Sequence, residues 1–294
     1  MHKGKRSNEN LNKAKAAKND EFYTRLEDIE KELEHYTEHF KGKVVYCNCD
    51  DANRSNFFKY FSTNFQKLGL KKLIASGLKI DCTDGTDGTK NGTGVVAIQK
   101  GDDIDIYDGN GDFRSEECIE FLKEADIVVT NPPFSLFREY VAQLMQYGKK
   151  FLIIGSMNAI TYKEIFPYIK NNELWLGTTN PNGYFLPNGE IKKFGNICWY
   201  TNLEHKKRNE ELILYKTYNP TEYPKYDNAD AIEVSKVAEI PMDYGGVCGV
   251  PISFLDKYCP NQFRIVKFRK GDDGKDLSVN GKCPYFRILI QKIK

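Results

Sequence analysis

The sequence predicts an α/β fold built on a mostly parallel sheet, followed by a less regular C-terminal region. Two observations point to the sheet: short apolar runs alternate with amphipathic segments from residue 25 to residue 155, and those segments span 11 to 17 residues, enough for crossover helices. A third observation marks the second region. After Leu176 the alternation gives way to Gly/Pro/Asn-rich stretches and shorter strand-like runs. In parallel sheets of this kind, ligands sit beyond the carboxyl ends of the strands.

Each element follows from its local pattern. Residues 1–19 are rich in Lys and Asn with almost no large apolar side chain, a composition that predicts a flexible basic arm. Over 25–41 the apolar residues Leu26, Ile29, Leu33, Tyr36 and Phe40 recur every three or four positions, with Thr24 placed to cap the start and Gly42 to end it. A strand is expected over 43–47. A second helix over 55–68 turns Phe57, Phe58, Phe61, Phe65 and Leu68 inward and closes at Gly69. Strands follow at 72–75, 95–98 and 104–107, with a Gly/Thr/Asp-rich surface loop over 81–94. Helix 115–125, strand 126–130, helix 135–147 and strand 151–155 complete the alternation, and runs at 197–201 and 285–291 read as later strands. The organisation expected is an arm (1–19), an α/β core (20–177), and the end of the sheet with a less regular region (178–294).

Composition narrows the class. With 40% hydrophobic and 13% aromatic residues the chain can bury a sizeable core, which excludes collagen-like and wholly disordered readings. No run of 18 apolar residues appears and the N-terminus has no signal-peptide core, so the expectation is a cytoplasmic protein with no membrane partner. Of eight cysteines only Cys47 and Cys49 lie close together, and the pair His35 and His39 has no cysteine pair to match it. That spacing predicts reduced, mostly buried thiols and no metal. The net charge of +2 conceals a segregation. Residues 1–19 carry six Lys/Arg against one Glu (+5) and residues 262–294 carry nine against three Asp (+6), so the intervening stretch is −9. Basic ends around an acidic middle suit a polyanion, or equally a solvated arm and surface.

The most informative residues are Asp126-Ile-Val-Val-Thr-Asn-Pro-Pro-Phe134, an apolar strand ending in Asn131-Pro132-Pro133-Phe134 where an α/β enzyme keeps its reacting groups. The run resembles the catalytic motif of S-adenosylmethionine-dependent amino-methyltransferases: Asp, Asn or Ser, then Pro-Pro, then an aromatic residue. Chemistry accounts for the types. The exocyclic amine of adenine is a poor nucleophile because its lone pair is delocalised, so a site must accept its hydrogens. The Asn131 side-chain oxygen and the Pro132 carbonyl supply two acceptors on a backbone stiffened by proline, and Phe134 offers a face for stacking. A base held in a duplex cannot reach such a turn and has to be flipped out. The alternative is a rigid turn that merely starts the next helix.

Two more segments resemble cofactor-binding parts of the same enzymes. Asp20-Glu-Phe-Tyr-Thr24 is similar to the segment ahead of the sheet, implying Phe22, Tyr23 and Thr24, although Arg25 stands where proline is usual. Gly111-Asp-Phe-Arg-Ser115 is similar to the acidic segment after the third strand, implying Asp112 and Phe113, with Asp112 facing the cofactor's adenine amine. Together with Val44-Val-Tyr-Cys-Asn-Cys-Asp-Asp51, Ser55-Asn-Phe-Phe-Lys-Tyr-Phe61 and Gly249-Val-Pro-Ile-Ser-Phe-Leu-Asp256, these residues make the chain resemble the EcoRI-type adenine-specific DNA methyltransferase family over residues 20–294.

The resemblance implies a Rossmann-like class I methyltransferase sheet with an irregular C-terminal target-recognition region. It implies methyl transfer from S-adenosylmethionine to adenine N6 in double-stranded DNA, without metal, in a restriction-modification or orphan methylation role. It further implies a bacterial or phage-encoded monomer, with any cognate restriction endonuclease acting separately. One departure matters: the Gly-x-Gly cofactor loop is replaced by Cys47, Asn48, Cys49 and Asp50, which are expected to form an alternative wall with Asp50 toward the cofactor's amino group. No acidic partner for a ribose is evident after the second strand. For DNA, the segment 180–189 offers Tyr184 and Phe185, and Arg264, Lys267, Arg269 and Lys270 form a basic strip suited to phosphates. Two further readings stay open: the same fold acting on RNA or a protein glutamine, and a non-catalytic DNA-binding protein.

Overall fold

The computed structural model describes residues 23–78, 94–181, 184–185, 191–192 and 196–293. The expected arm at 1–19, Phe22 and most of the loop over 81–94 lie outside the described residues. In chain order the elements are β1 (Tyr23–Thr24), α1 (Leu26–Leu33), β2 (Val44–Asn48), α2 (Asn56–Thr63), α3 (Phe65–Leu68), β3 (Lys72–Leu78), β4 (Gly94–Lys100), β5 (Asp103–Gly109), α4 (Glu116–Glu124), β6 (Ile127–Thr130), α5 (Phe137–Gln146) and β7 (Lys150–Ser156). Then come α6 (Phe166–Lys170), β8 (Trp175–Leu176), β9 (Tyr184–Phe185), β10 (Ile191–Lys192), β11 (Ile197–Thr201), β12 (Ala231–Glu233), β13 (Val247–Pro251), β14 (Phe263–Phe268) and β15 (Arg287–Lys292). Among the described residues no helix is long and apolar enough to cross a membrane.

The chain divides into two units, residues 1–161 with 177–203, and residues 162–176 with 204–294. This differs from the expected border at 177–178, because the chain returns to the first unit there and adds β11 to its sheet.

In the first unit the strands run β5-β4-β3-β2-β6-β7-β11. The inner four, β3, β2, β6 and β7, are parallel, whereas β4, β5 and β11 run antiparallel to their neighbours. The sheet is therefore mixed rather than mostly parallel. The reason lies in the connections: β4 and β5 are joined by a two-residue turn, which can link only antiparallel strands. Strand residues alternate between two covered faces. Val45, Cys47, Leu73, Val129 and Ile154 share a core with Ile29, Leu33, Phe57 and Phe61 from α1 and α2. On the other face Tyr46 meets Phe121 of α4 at 6.0 Å and Tyr200 meets Phe137 of α5 at 5.0 Å. Because both faces are covered, every residue of β2 and β6 is buried, and each strand reads as an apolar run up to its polar last residue, Asn48 or Thr130.

Helix boundaries follow local chemistry. Ser55 caps α2, its hydroxyl accepting from the amides of Phe57 and Phe58. Thr24 does not cap α1. It pairs in β1 with Tyr184 of β9, its carbonyl accepts from Asn56 Nδ2 at 2.8 Å, and Arg25 holds the cap position without a side-chain bond.

The second unit holds α6, β8 and a sheet ordered β12-β13-β15-β14. Phe166 of α6 packs on Phe268 of β14 at 4.9 Å. A nearly buried ion pair, Arg287 Nη2 to Glu233 Oε1 at 2.6 Å, ties β15 to β12, and the Tyr226 hydroxyl completes it by donating to Glu233 Oε2. Tyr226 reaches that carboxylate across Gly249, whose missing side chain is the space the phenol occupies.

Candidate active site

The chain proceeds from β2 to β3 on one side of the sheet and later enters β6 on the other side of β2, so a crevice opens between the carboxyl ends of β2 and β6. The Cys47–Asp50 segment ends one of these strands and the Asn131–Phe134 segment follows the other.

At the end of β2, Cys49 takes a left-handed conformation with φ of 68°. That region disfavours a residue with a side chain, and strain of this kind concentrates at ligand sites. The close backbone approach that a Gly-x-Gly loop would allow comes from the neighbouring strand. A Cβ on Gly77 of β3 would stand 2.5 Å from the Asp51 amide nitrogen and 2.6 Å from the Asp50 carbonyl carbon. Asp50 N also donates to the Ser76 carbonyl at 2.8 Å, which lays the turn against β3. Asn48 is buried: its Oδ1 accepts from Ser76 Oγ at 3.4 Å, and its Nδ2 has no hydrogen-bond partner. Cys47 faces the core rather than the crevice, and burial pushes its thiol well above the ordinary range.

Asp50 joins the two strand ends. Ser55 Oγ donates to Asp50 Oδ1 at 2.7 Å, and Thr130 Oγ1, at the end of β6, lies 2.5 Å from Asp50 Oδ2 and also bonds to the Asn48 carbonyl. Burial pushes the Asp50 carboxyl up to about 7; the Thr130 and Ser55 hydroxyls pull it down and the Asp51 charge adds to the rise. Asn131 follows Thr130 directly. Its side-chain oxygen is shielded from solvent, and Pro132 is buried. The Pro133 carbonyl accepts from the Leu136 amide at 3.0 Å, which closes the turn into α5, while among the described residues no backbone amide takes the Pro132 carbonyl. Phe134 is half-buried against the core of the first unit. Two carbonyl-type oxygens and a ring thus follow each other on a stiffened turn.

Tyr23 and Thr24 pair, residue against residue, with Phe185 and Tyr184, so a segment expected at the cofactor and one expected at DNA form one small sheet with β10. Asp112 is held by Arg114, Nη2 to Oδ2 at 2.7 Å, a pairing that keeps its carboxyl below the usual carboxylate range. Phe113 is buried edge-on against Tyr140 of α5 at 5.1 Å. In the second unit a bulge between Ile265 and Lys267 breaks the alternation that made the basic strip continuous. Arg264 is bonded to Gln291, Lys267 to the Gly271 carbonyl at 2.8 Å, and Arg269 and Lys270 share Asp276 at 3.1 and 2.7 Å. Two cations on one carboxylate leave a net positive charge there.

Sequence reasoning passed over three residues. Ser55 and Thr130 stood inside quoted motifs, but nothing in either motif says that they meet at Asp50. Glu32 lies on the apolar stripe of α1, three residues after Ile29, and that oddity was the available signal. Buried, it accepts from the Tyr36 hydroxyl at 3.0 Å, the Thr178 amide at 2.7 Å, and the amide and hydroxyl of Thr179, both at 2.6 Å. It thereby fixes the chain just ahead of β9.

A sheet with this switch point, and an Asn-Pro-Pro-Phe turn beside it, define an amino-methyltransferase of the class I type. Comparison with known proteins names the family: the one described as adenine-specific methyltransferase EcoRI matches residues 10–189 and 180–281. The type II methyltransferase M.EcoRI of Escherichia coli is 52% identical over 97% of this chain and 97% of its own. The type II methyltransferases M.MgeORF184P of Mycoplasma genitalium and M.MpnI of Mycoplasma pneumoniae are 40% and 38% identical, each over 96% of this chain and 98% of its own. No solved structure matches the chain. The chain belongs to the adenine-specific methyltransferase EcoRI family and is a DNA adenine methyltransferase.

Proposed function

We propose that the protein moves a methyl group from S-adenosylmethionine to N6 of an adenine flipped out of duplex DNA, at a defined site, within a restriction-modification or orphan methylation system. The observation that carries the proposal is the bond from Thr130 to the end of β2, which sets Asn131 beside the crevice where a cofactor would lie.

The residues fit that cofactor. Asn48 Nδ2 is a buried donor with no acceptor, and Cys49 takes a left-handed conformation at the turn after β2. When bound, the cofactor supplies an electrophilic methyl group. Cys47, Asn48, Cys49 and Asp50 would form its wall through the backbone turn, with Asp112, Phe113, Phe22, Tyr23 and Thr24 beside it. Asn131 Oδ1 and the Pro132 carbonyl accept the two hydrogens of the target amine and orient its lone pair. Phe134 stacks on the flipped base, offsetting part of an unstacking cost of about a few kcal/mol. Tyr184 and Phe185, paired with β1, would line the path of the base, and Arg264, Lys267, Arg269 and Lys270 would meet phosphates. The protein acts as a cytoplasmic monomer, with any cognate endonuclease working apart from it.

The test is to incubate the protein with labelled S-adenosylmethionine and duplex DNA, RNA or protein extract, digest, and identify the labelled product. N6-methyladenine in DNA is expected. Label confined to RNA or protein would overturn the proposal.

A further inference from the structure

The contacts around Asp50 need one more hydrogen than the Ser55 and Thr130 hydroxyls supply. Ser55 Oγ accepts from Phe57 N at 3.0 Å and Phe58 N at 3.3 Å, so its single hydrogen is left for Asp50 Oδ1. On the other side Thr130 Oγ1 is within hydrogen-bond distance of two oxygens, the Asn48 carbonyl and Asp50 Oδ2. Two buried oxygen–oxygen contacts within hydrogen-bond distance each need a hydrogen between them. The carbonyl has none and the threonine has one. The second must sit on Asp50.

We propose that Asp50 works as a neutral carboxylic acid, a positioning residue whose proton clamps the turn after β2 to the end of β6 and so holds the Asn131 turn in place. The bonds then run without conflict: Ser55 donates to Asp50 Oδ1, Asp50 Oδ2 donates to Thr130, and Thr130 donates to the Asn48 carbonyl. Loss of the proton would leave two acceptors competing for one hydrogen in a site where Asp50, Asn48 and Thr130 are all buried. The surroundings favour the neutral form. Among the described residues, the titratable groups facing Asp50 are Asp51 on its own turn, Cys47 of β2 and Tyr140 of α5, none of them a cation. Burial acts in the same direction. What the clamp positions rests on the catalytic reading of Asn131; the protonation itself does not.

The experiment therefore uses the cofactor-free protein. Asp50→Asn reproduces the neutral pattern, with an oxygen toward Ser55 and an N–H toward Thr130. Because the folded-state carboxyl lies above its ordinary 3.8, its stabilising share is fully present below that value and is lost as pH rises through about 7. Wild-type stability should decline between about pH 4 and pH 7 and then level off, whereas Asp50→Asn should show no such decline, so that the two lie closest near pH 4 and the variant is the more stable near pH 8. Protection of the Thr130 and Asn131 amides from hydrogen exchange, corrected for intrinsic rates, should fall about tenfold in wild type between roughly pH 6 and 8 and stay level in the variant. A variant that is unfolded or weakened at every pH, or that keeps the wild-type slope, would overturn the neutral acid. Unchanged amide protection in wild type would overturn the clamp. Neither result depends on methyl transfer, so failure of the substrate assignment would show separately, as both proteins folding normally and labelling no DNA.

Discussion

Glu32→Gln tests how the first unit holds the segment that leads to Tyr184 and Phe185. Each carboxylate oxygen of Glu32 accepts two donors: Oε1 from Tyr36 and Thr178, Oε2 from the amide and hydroxyl of Thr179. Glutamine replaces one oxygen with an N–H₂ group whichever way it is turned. Each hydroxyl can rotate to accept, but a backbone amide cannot. One partly buried amide, Thr178 or Thr179, is therefore left facing a donor, at about 1–3 kcal/mol, and the charge assistance on the other bonds is lost at about 1 kcal/mol or more. The expected destabilisation is about 3 kcal/mol, a large share of the roughly 5–15 kcal/mol that holds a typical domain. Urea denaturation followed by circular dichroism measures it, and hydrogen exchange at Thr178 and Thr179 localises it. A loss below about 0.5 kcal/mol with both amides still protected would refute the reasoning.

Other substitutions address the site. Asn131→Ala should bind cofactor normally in calorimetry and fold as wild type, yet lose about 10²-fold or more in methyl transfer, since it deletes an acceptor for the target amine. Phe134→Ala should lose about 1–3 kcal/mol of transition-state stabilisation in single-turnover assays, with little change in cofactor affinity. Gly77→Ala would set a Cβ 2.5 Å from the Asp51 amide nitrogen, so cofactor affinity should fall roughly tenfold or more while thermal stability changes less. Retained affinity would show that the β2 turn does not need that close approach.

Much of the fold could be read from residue pattern. The helix and strand order from α1 to β7 follows from apolar spacing, because period and cap residues are local properties and both faces of the inner strands are buried. The hairpin of β4 and β5 was equally local, yet was absorbed into a parallel expectation. Thr24 shows a different limit. Its type suits a cap, but the pairing with Tyr184 some 160 residues away decides its backbone. The basic strip failed for a similar reason: the bulge at Ile265 and Lys267 arises from strand pairing with β15, which alternation in one strand cannot report.

What the sequence determined by itself is chemical identity: an amide oxygen, two prolines and a ring after an apolar strand, and the absence of glycines from the turn after β2. These depend on residue type and short spacing. Only the tertiary structure decided that Gly77 supplies the missing close approach, that Glu32 secures the chain ahead of β9, and that Ser55, Asp50, Thr130 and Asn48 form one hydrogen-bonded chain. Those residues come from different strands and loops, and their partners are chosen by strand order and burial. Asp50 reads as one more carboxylate in a run of two; burial is what pushes its carboxyl up to about 7, against the pull of the two hydroxyls bonded to it.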